Sequence, residues 1–205
     1  MKIAILTFEG FNELDSLVAY AILSRVQAKN WQVQITSPTP TVTSMNGLTL
    51  SAHQPLRYAN NADAVILGSG SLTRQLVRDE AILSALSLDP TRQLLATQCS
   101  GVLWLPALGI EHHAPVCTDL TTRPWVVEAG MTVLDQPFLA QNQVATAGGC
   151  MASQYLAAWL IAQLASPEEA EQAIHYVAPV GEKSSTVAHC MAVVSPYLEG
   201  AHVNV

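Results

Sequence analysis

A cysteine at the end of an apolar segment is the residue of this sequence best placed to do chemistry. Cys99 stands in the segment T-Q-C-S-G, directly after the apolar run 94–97 and before the helical pattern 102–108. A thiol at a strand-to-helix turn lies near the positive end of the helix dipole, which would lower its pKa. Gly101 would allow close backbone approach, and the N–H of Ser100 would face the same space, as in a nucleophile elbow. The alternative is a structural thiol, because free cysteine is often buried.

Two carboxylates near the N-terminus are candidate proton donors for this thiol. Glu13 and Asp15 lie two residues apart in the segment E-G-F-N-E-L-D, where a loop meets a predicted helix. Either carboxyl group could exchange a proton with the thiol or with its adduct. The alternative interpretation is that Asn12 or Asp15 only caps the helix.

A short turn after another apolar run supplies candidate oxyanion donors. The run 64–67 ends at Gly68-Ser69-Gly70. The backbone N–H groups of Ser69 and Gly70 could donate to an oxyanion. Short glycine-containing turns are common, so this signal gains weight only together with the thiol and the carboxylates.

Strand patterns alternate with helical patterns and would position these residues. Strands are predicted at 2–7, 31–36, 64–67, 94–97 and 143–146. Helices are predicted at 15–29, 72–86, 102–108 and 151–165, with a further start at Ser166-Pro167 and another helical stretch at 185–196. The alternation predicts an α/β fold with a mostly parallel sheet and helices on both faces. Because sites in such sheets form at the carboxyl ends of strands, the three sets of candidates are expected to converge.

Composition limits the possible partners. The chain has 205 residues, which predicts a single domain over 1–205, and 50% hydrophobic content excludes intrinsic disorder. A net charge of −7 gives no basic stripe for nucleic acid. The sequence has no apolar run near the roughly 20 residues of a spanning helix and no signal-peptide pattern. We therefore expect a cytoplasmic protein that binds neither nucleic acid nor membrane.

The order of these segments resembles the ThiJ/PfpI superfamily, which has a class I glutamine amidotransferase-like fold. The resemblance covers roughly residues 2 to 180 and rests on the segments F-E-G-F-N-E-L-D, L-G-S-G, A-T-Q-C-S-G-V-L-W-L-P-A-L-G and V-A-T-A-G-G-C. It implies a flavodoxin-like three-layer sandwich with Cys99 as the elbow nucleophile, no metal or organic cofactor, and a homodimer.

Within the superfamily, the sequence is most similar to the isocyanide hydratase branch. The similarity rests on Asp15, on Ser100 after Cys99, on A-G-G before a long helix and on the segment 175–179. It implies a small-molecule hydro-lyase in which Cys99 attacks an isonitrile carbon, Asp15 supplies a proton, Ser100 assists, and a thioimidate is hydrolysed to an N-formamide.

The departures from the superfamily pattern narrow the expected activities. Peptidase members carry His directly after the nucleophile, whereas this chain has Ser100, which argues against protease activity. Glyoxalase-like members usually offer a His in the loop after a strand similar to 116–118, where this chain has Asp119. Where members usually have P-G-G, this chain has L-G-S-G.

The remaining cysteines have weaker claims to a role. Cys117 and Cys150 are predicted at or near strand ends, where they could line the pocket, although small buried fillers are the simpler interpretation. Cys190 falls in a helical stretch and is predicted to be core. Three residues are secondary site candidates, namely Glu13, Asp119 and Cys150.

Two other function classes fit the same sequence. One is a redox or ligand sensor in which Cys99 is oxidised to sulfenic or sulfinic acid beside a carboxylate. The other is a stand-alone effector-binding domain related to those of AraC-type regulators. Residues 180–205 contain no pattern of a helix-turn-helix, so such a domain would act without its own DNA-binding module.

Overall fold

The computed structural model describes residues 1–110 and 113–198. Its strands are β1 Lys2–Leu6, β2 Gln32–Ser37, β3 Thr41–Thr43, β4 Thr49–Ser51, β5 Gln54–Pro55, β6 Ala64–Leu67, β7 Leu94–Gln98, β8 Phe138–Gln141 and β9 Val144–Ala147. Its α-helices are α1 Glu13–Leu23, α2 Thr73–Leu76, α3 Glu80–Ala85, α4 Trp104–Ala107, α5 Arg123–Glu128, α6 Ser153–Leu164, α7 Pro167–Val177 and α8 Lys183–Val194. Short 3₁₀ helices cover Leu56–Asn61, Cys99–Leu103, Cys150–Ala152 and Ser195–Tyr197.

A seven-stranded sheet forms the centre of the fold. Its order is β5-β2-β1-β6-β7-β9-β8, and its pairs are parallel except for β8 with β9. The strands β3 and β4 form a separate antiparallel pair. The predicted α/β architecture, with a mostly parallel sheet and helices on both faces, is therefore confirmed.

Strand residues alternate between two cores, one on each face of the sheet. Ile3 and Ile5 of β1 belong to the core under α1 and α6, whereas Ala4 and Leu6 belong to the core of the opposite face. Because each face is covered, the central strands read as continuous apolar runs. This burial explains why β1, β6 and β7 could be predicted from the sequence.

Several helices differ from the sequence expectation. The predicted helix 72–86 is two short helices, since Asp79 accepts from the N–H groups of Ala81 at 2.9 Å and Ile82 at 3.3 Å and so starts α3 anew. The predicted helix 102–108 is a 3₁₀ turn followed by the four-residue α4. The start of α7 is as predicted, because Ser166 Oγ accepts from the N–H of Glu169 at 3.2 Å.

The last two long helices are joined by a lysine. Lys183 Nζ donates to the carbonyls of His175 at 2.6 Å and Ala178 at 3.2 Å, at the end of α7. Carbonyls at a helix C-terminus lack intrahelical partners, and a cation there also interacts favourably with the helix dipole. In the described ranges, no helix is long and apolar enough to cross a membrane.

Candidate functional site

The turn after β7 places Cys99 in a constrained position. Its backbone has φ of +48°, and the residue is only 6% exposed. A Cβ on Gly101 would lie 2.3 Å from the carbonyl oxygen of Leu67, so the turn packs directly on the end of β6. Trp104 Nε1 adds a bond of 3.1 Å to the carbonyl of Gly68. The predicted strand–cysteine–helix junction is therefore present, with glycine required at position 101.

Asp15 is the carboxylate that lies beside Cys99. It is 3% exposed and sits in the first turn of α1, whose cap is Asn12, because Asn12 Oδ1 accepts from the N–H of Leu14 at 3.1 Å. Ser69 Oγ donates a hydrogen bond to one carboxylate oxygen, and Gln98 Nε2 donates to the other at 3.2 Å. The capping role considered for Asp15 thus belongs to Asn12, and Asp15 is held toward the thiol.

Glu13 points away from the thiol. Its carboxylate accepts from Ser44 Oγ and, at 2.9 Å, from Asn46 Nδ2, both near the β3–β4 pair. The Ser44 bond makes the largest contribution to lowering the pKa of Glu13. Of the two candidate acids, only Asp15 therefore joins the cluster around Cys99.

Cys150 is the third member of that cluster. The Sγ atoms of Cys99 and Cys150 and a carboxylate oxygen of Asp15 all lie within 4.8 Å of one another. Asn12 Nδ2 lies 3.3 Å from Cys150 Sγ and donates to it. Among the described residues this is the one group of three potential metal ligands, and two sulfurs with one oxygen would suit a thiophilic ion such as Zn²⁺. The simpler interpretation of Cys150 as a filler is not what the geometry favours.

Gln98 ties the cluster together, and sequence reasoning missed it. Its Nε2 also donates to the carbonyls of Gly149 at 3.0 Å and Cys150 at 2.7 Å. Its Oε1 accepts from Ser153 Oγ at 2.7 Å, at the start of α6. Its position next to Cys99, at the carboxyl end of a buried strand, is the sequence feature that could have identified it. One side chain therefore bridges the two cysteine-bearing turns and Asp15 and holds them next to one another.

The expectation of a lowered thiol pKa is wrong for Cys99. Burial makes the largest contribution to raising it, and the negative charges of Asp15 and Asp119 raise it further. A hydrogen bond between the thiol and Asp15 also raises the pKa of Cys99, whereas a hydrogen bond from the backbone N–H of Gly149 lowers it. The turn that follows is a 3₁₀ helix and a four-residue α-helix, so little helix dipole is available to offset these effects.

Asp15 itself is shifted toward its neutral form. Burial raises the pKa of Asp15 above its ordinary value, and the hydrogen bonds from Ser69 and from the thiols of Cys99 and Cys150 only oppose that shift. A buried thiol and a buried carboxylate in contact cannot both ionise readily. Ionisation of Asp15 therefore disfavours ionisation of Cys99.

The predicted oxyanion site differs from the expectation at Gly70 and at the side chains of Ser69 and Ser100. Ser100 Oγ accepts from the N–H of Gly70 at 3.1 Å and donates to Thr73 Oγ1 at 2.9 Å. The N–H of Gly70 therefore donates to Ser100 instead of to an oxyanion, and the Ser100 hydroxyl donates to Thr73 of α2. Ser69 reaches the cluster through its hydroxyl, which bonds to Asp15.

A cleft adjoins the cluster on the side of Asp119. It has a volume of about 380 Å³, and its lining includes Thr118 and Gly149, which contact Cys99, but not Cys99 itself. Thr118 Oγ1 donates to the carbonyl of Cys99 at 2.8 Å, and Asp119 Oδ1 accepts from the N–H groups of Thr121 and Thr122 at 2.9 Å each. Cys117 is fully buried, and burial raises its pKa to about 11. Asp119 thus faces the cleft as a fixed charge, whereas Cys117 is core.

Solved structures share this fold at low sequence identity. The chain is similar to Schizosaccharomyces pombe DJ-1, with 15% identity, a TM-score of 0.74 and coverage of 87% of this chain and 100% of that one. A cysteine-to-alanine mutant of a DJ-1 superfamily protein from Salmonella typhimurium matches with 21% identity, a TM-score of 0.73 and coverage of 87% and 98%. Oxidised Toxoplasma gondii DJ-1 matches with 18% identity, a TM-score of 0.72 and coverage of 86% and 97%.

The sequence itself matches a family model over most of its length. No curated protein matches the chain significantly. The model of the DJ-1/PfpI family, however, matches residues 1–163, a range that contains the whole sheet and the Asp15, Cys99 and Cys150 cluster. The chain is therefore a member of the DJ-1/PfpI family.

Proposed function

We propose that this protein is a cysteine-dependent hydratase of small isonitriles, which adds water to the substrate and releases an N-formamide. The observation that carries the proposal is the buried contact between the Cys99 thiol and the Asp15 carboxylate. The resemblance of the sequence to the isocyanide hydratase branch supports the same reaction.

The contact between this thiol and this carboxyl group matches the first step of the reaction. The sulfur of Cys99 forms a bond to the terminal carbon of R–N≡C, and the thiol proton passes through Asp15 to the same carbon. The product of this step is the thioimidate R–N=CH–S–Cys99. Because burial favours the neutral form of Asp15, the carboxyl group can hold the proton while the carbon–sulfur bond forms.

Hydrolysis of the thioimidate completes the cycle. Water adds to the thioimidate carbon, the carbon–sulfur bond breaks, and a proton returns to the sulfur. The products are R–NH–CHO and the free thiol. Water can approach from the cleft beside Thr118 and Gly149, whose residues contact the turn that carries Cys99.

The charges around the site favour a small neutral substrate. Asp119 places negative charge near the sulfur, and Asp15 adds to it whenever it is ionised, which disfavours anionic substrates. Ser100 is bonded to Gly70 and Thr73, so residue 100 does not supply the base that peptide cleavage needs. A cleft of about 380 Å³ is within the size range of small-molecule sites.

The direct test is conversion of a simple isonitrile. Purified protein with reduced thiols should convert cyclohexyl or aryl isonitrile to its N-formamide, measured by chromatography with mass detection. Cys99→Ala should reduce formamide production to the level of buffer, because the carbon-directed nucleophile is lost. Cys190→Ala, which removes a buried thiol of α8, is the matched control and should retain conversion. Absence of formamide with a verified free Cys99 thiol would refute hydration and leave a sensor or an effector-binding domain.

We further propose that the protein acts as a homodimer. Four apolar side chains near the cluster are exposed by 44–60%, namely Leu14, Met45, Leu48 and Met151. They are brought together by the bond of Glu13 to Asn46 and by the bond of Asn12 to Cys150. An exposed apolar patch of this kind is typical of an interaction site, and a second copy of the chain is the partner that the sequence resemblance implies.

The dimer is tested by placing a charge in this patch. Leu14→Glu should shift the mass in solution from that of a dimer toward the monomer mass of 21.9 kDa, because a self-complementary interface would then bury two like charges. Light scattering coupled to size-exclusion chromatography measures the mass. Val180→Glu changes a side chain that is 94% exposed elsewhere and is the control. A wild-type monomer, or a Leu14→Glu dimer, would contradict the proposed interface.

A further inference from the structure

The second thiol of the cluster has no part in the proposed hydration. Cys150 lies in a 3₁₀ turn at the start of α6, half-buried, with its Sγ within 4.8 Å of Cys99 Sγ. Cys117 and Cys190, by contrast, are buried and lie outside this cluster. Two free thiols in contact with one carboxylate are an arrangement that can form a disulfide.

We propose that Cys99 and Cys150 are a redox-active dithiol, in which Cys150 resolves an oxidised Cys99 to an intramolecular disulfide. The inference goes beyond the proposed hydration and does not depend on it, since it rests on the positions of the two sulfurs.

The reaction balances with a hydroperoxide as the oxidant. The Cys99 sulfur attacks the peroxide, the O–O bond breaks, and Cys99–SH with ROOH gives Cys99–SOH and ROH. The Cys150 sulfur then attacks the oxidised sulfur, and Cys99–SOH with Cys150–SH gives the disulfide and water. The dithiol loses two electrons, which reduce the peroxide.

Each sulfur has a separate hydrogen-bond donor. The backbone N–H of Gly149 interacts with the sulfur of Cys99, and Asn12 Nδ2 donates to the sulfur of Cys150 at 3.3 Å. Asp15 interacts with both thiols and can accept the proton of whichever thiol attacks. The cluster therefore contains the donors and the proton acceptor that both steps need.

The turn that carries Cys150 has room to close the gap. A disulfide needs the two sulfurs at about 2.05 Å, so they must approach each other by side-chain rotation and a small backbone shift. Gly149 has φ of +91°, and a Cβ there would contact nothing within 4 Å, so this turn is not packed in on that side. Gln98 holds the carbonyls of Gly149 and Cys150 and keeps the turn next to Cys99 before closure.

The test is peptide mapping after treatment with a modest excess of hydrogen peroxide. The wild-type protein should lose about 2 Da and yield a Cys99–Cys150 cross-linked peptide that dithiothreitol releases. Cys150→Ser should give no cross-link and should instead accumulate Cys99 with about 32 Da added, the sulfinic acid that an unresolved sulfenic acid forms. Cys190→Ser should behave like the wild type.

Two results would overturn the inference. One is sulfinic acid at Cys99 of the wild type, at the rate seen in Cys150→Ser and without a cross-link. The other is a cross-link that disappears in Cys190→Ser. Because the measurement is of mass and not of turnover, a failure here is separate from a failure of isonitrile hydration.

Discussion

Replacement of Asp15 by Asn is expected to lower kcat/KM for isonitrile hydration by about 100-fold or more, the usual contribution of a positioned acid–base group. Asn has nearly the same shape, and its oxygen can accept from Gln98 while its amide nitrogen donates to the Ser69 hydroxyl, but it cannot hold the thiol proton. Initial rates of formamide production measure the effect. Glu13→Gln is the matched control, because Glu13 bonds to Ser44 and Asn46 instead of the thiol.

The same variant should remain folded. The raised pKa of Asp15 means that the folded protein binds this proton more tightly than the unfolded chain. The buried carboxylate therefore lowers stability as the pH rises through the folded pKa, and at neutral pH its neutral replacement should not lower the melting temperature by this route. A folded Asp15→Asn variant with kcat/KM within threefold of the wild type would remove Asp15 from the mechanism.

The pH dependence of Cys99 alkylation gives a second readout that needs no substrate. Below the raised pKa of Asp15, both groups of the pair are protonated and alkylation of Cys99 should be slow. The rate should rise as the pair loses its first proton, because ionised Asp15 can then accept the thiol proton, and it should level off since the second proton leaves only at much higher pH. In Asp15→Asn the acid step should vanish, and the rate should increase only on the alkaline side.

The fold could be predicted because its signals are local. A strand buried on both faces is apolar over most of its length, as β6 is throughout, β1 is after Lys2 and β7 is before Thr97. The convergence of Asp15, Ser69 and Cys99 follows from the same parallel topology, which brings strand ends to one edge. The short strands β3, β4 and β5 carry too few residues for a periodic signal and were not predicted.

Three details of the site could not be predicted from the sequence, because they depend on distances between segments far apart in it. The spacing of Glu13 and Asp15 fits either acid, and only the position of Ser44 shows which one turns away. The closeness of Cys150 to Cys99 depends on Gln98, which bridges two turns. The direction of the Cys99 pKa shift depends on burial and on Asp15, which outweigh the dipole of a short helix.

Substitution of Gly101 by Ala is expected to destabilise the protein by about 3 kcal/mol or more, through overpacking against atoms that cannot move freely. The added Cβ would lie 2.3 Å from the carbonyl oxygen of Leu67 and 3.2 Å from that of Gly68, both backbone atoms at the end of β6. Relief of the contact has to displace the turn that carries Cys99, so any folded fraction should also lose thiol reactivity. Denaturant unfolding and the melting temperature measure the loss.

Gly109→Ala is the matched control, because its φ of +67° adds strain but its Cβ would contact nothing within 4 Å. That strain should cost only about 1 kcal/mol. Equal destabilisation by the two substitutions would show that loss of glycine flexibility, and not close packing behind the Cys99 turn, is what matters at position 101.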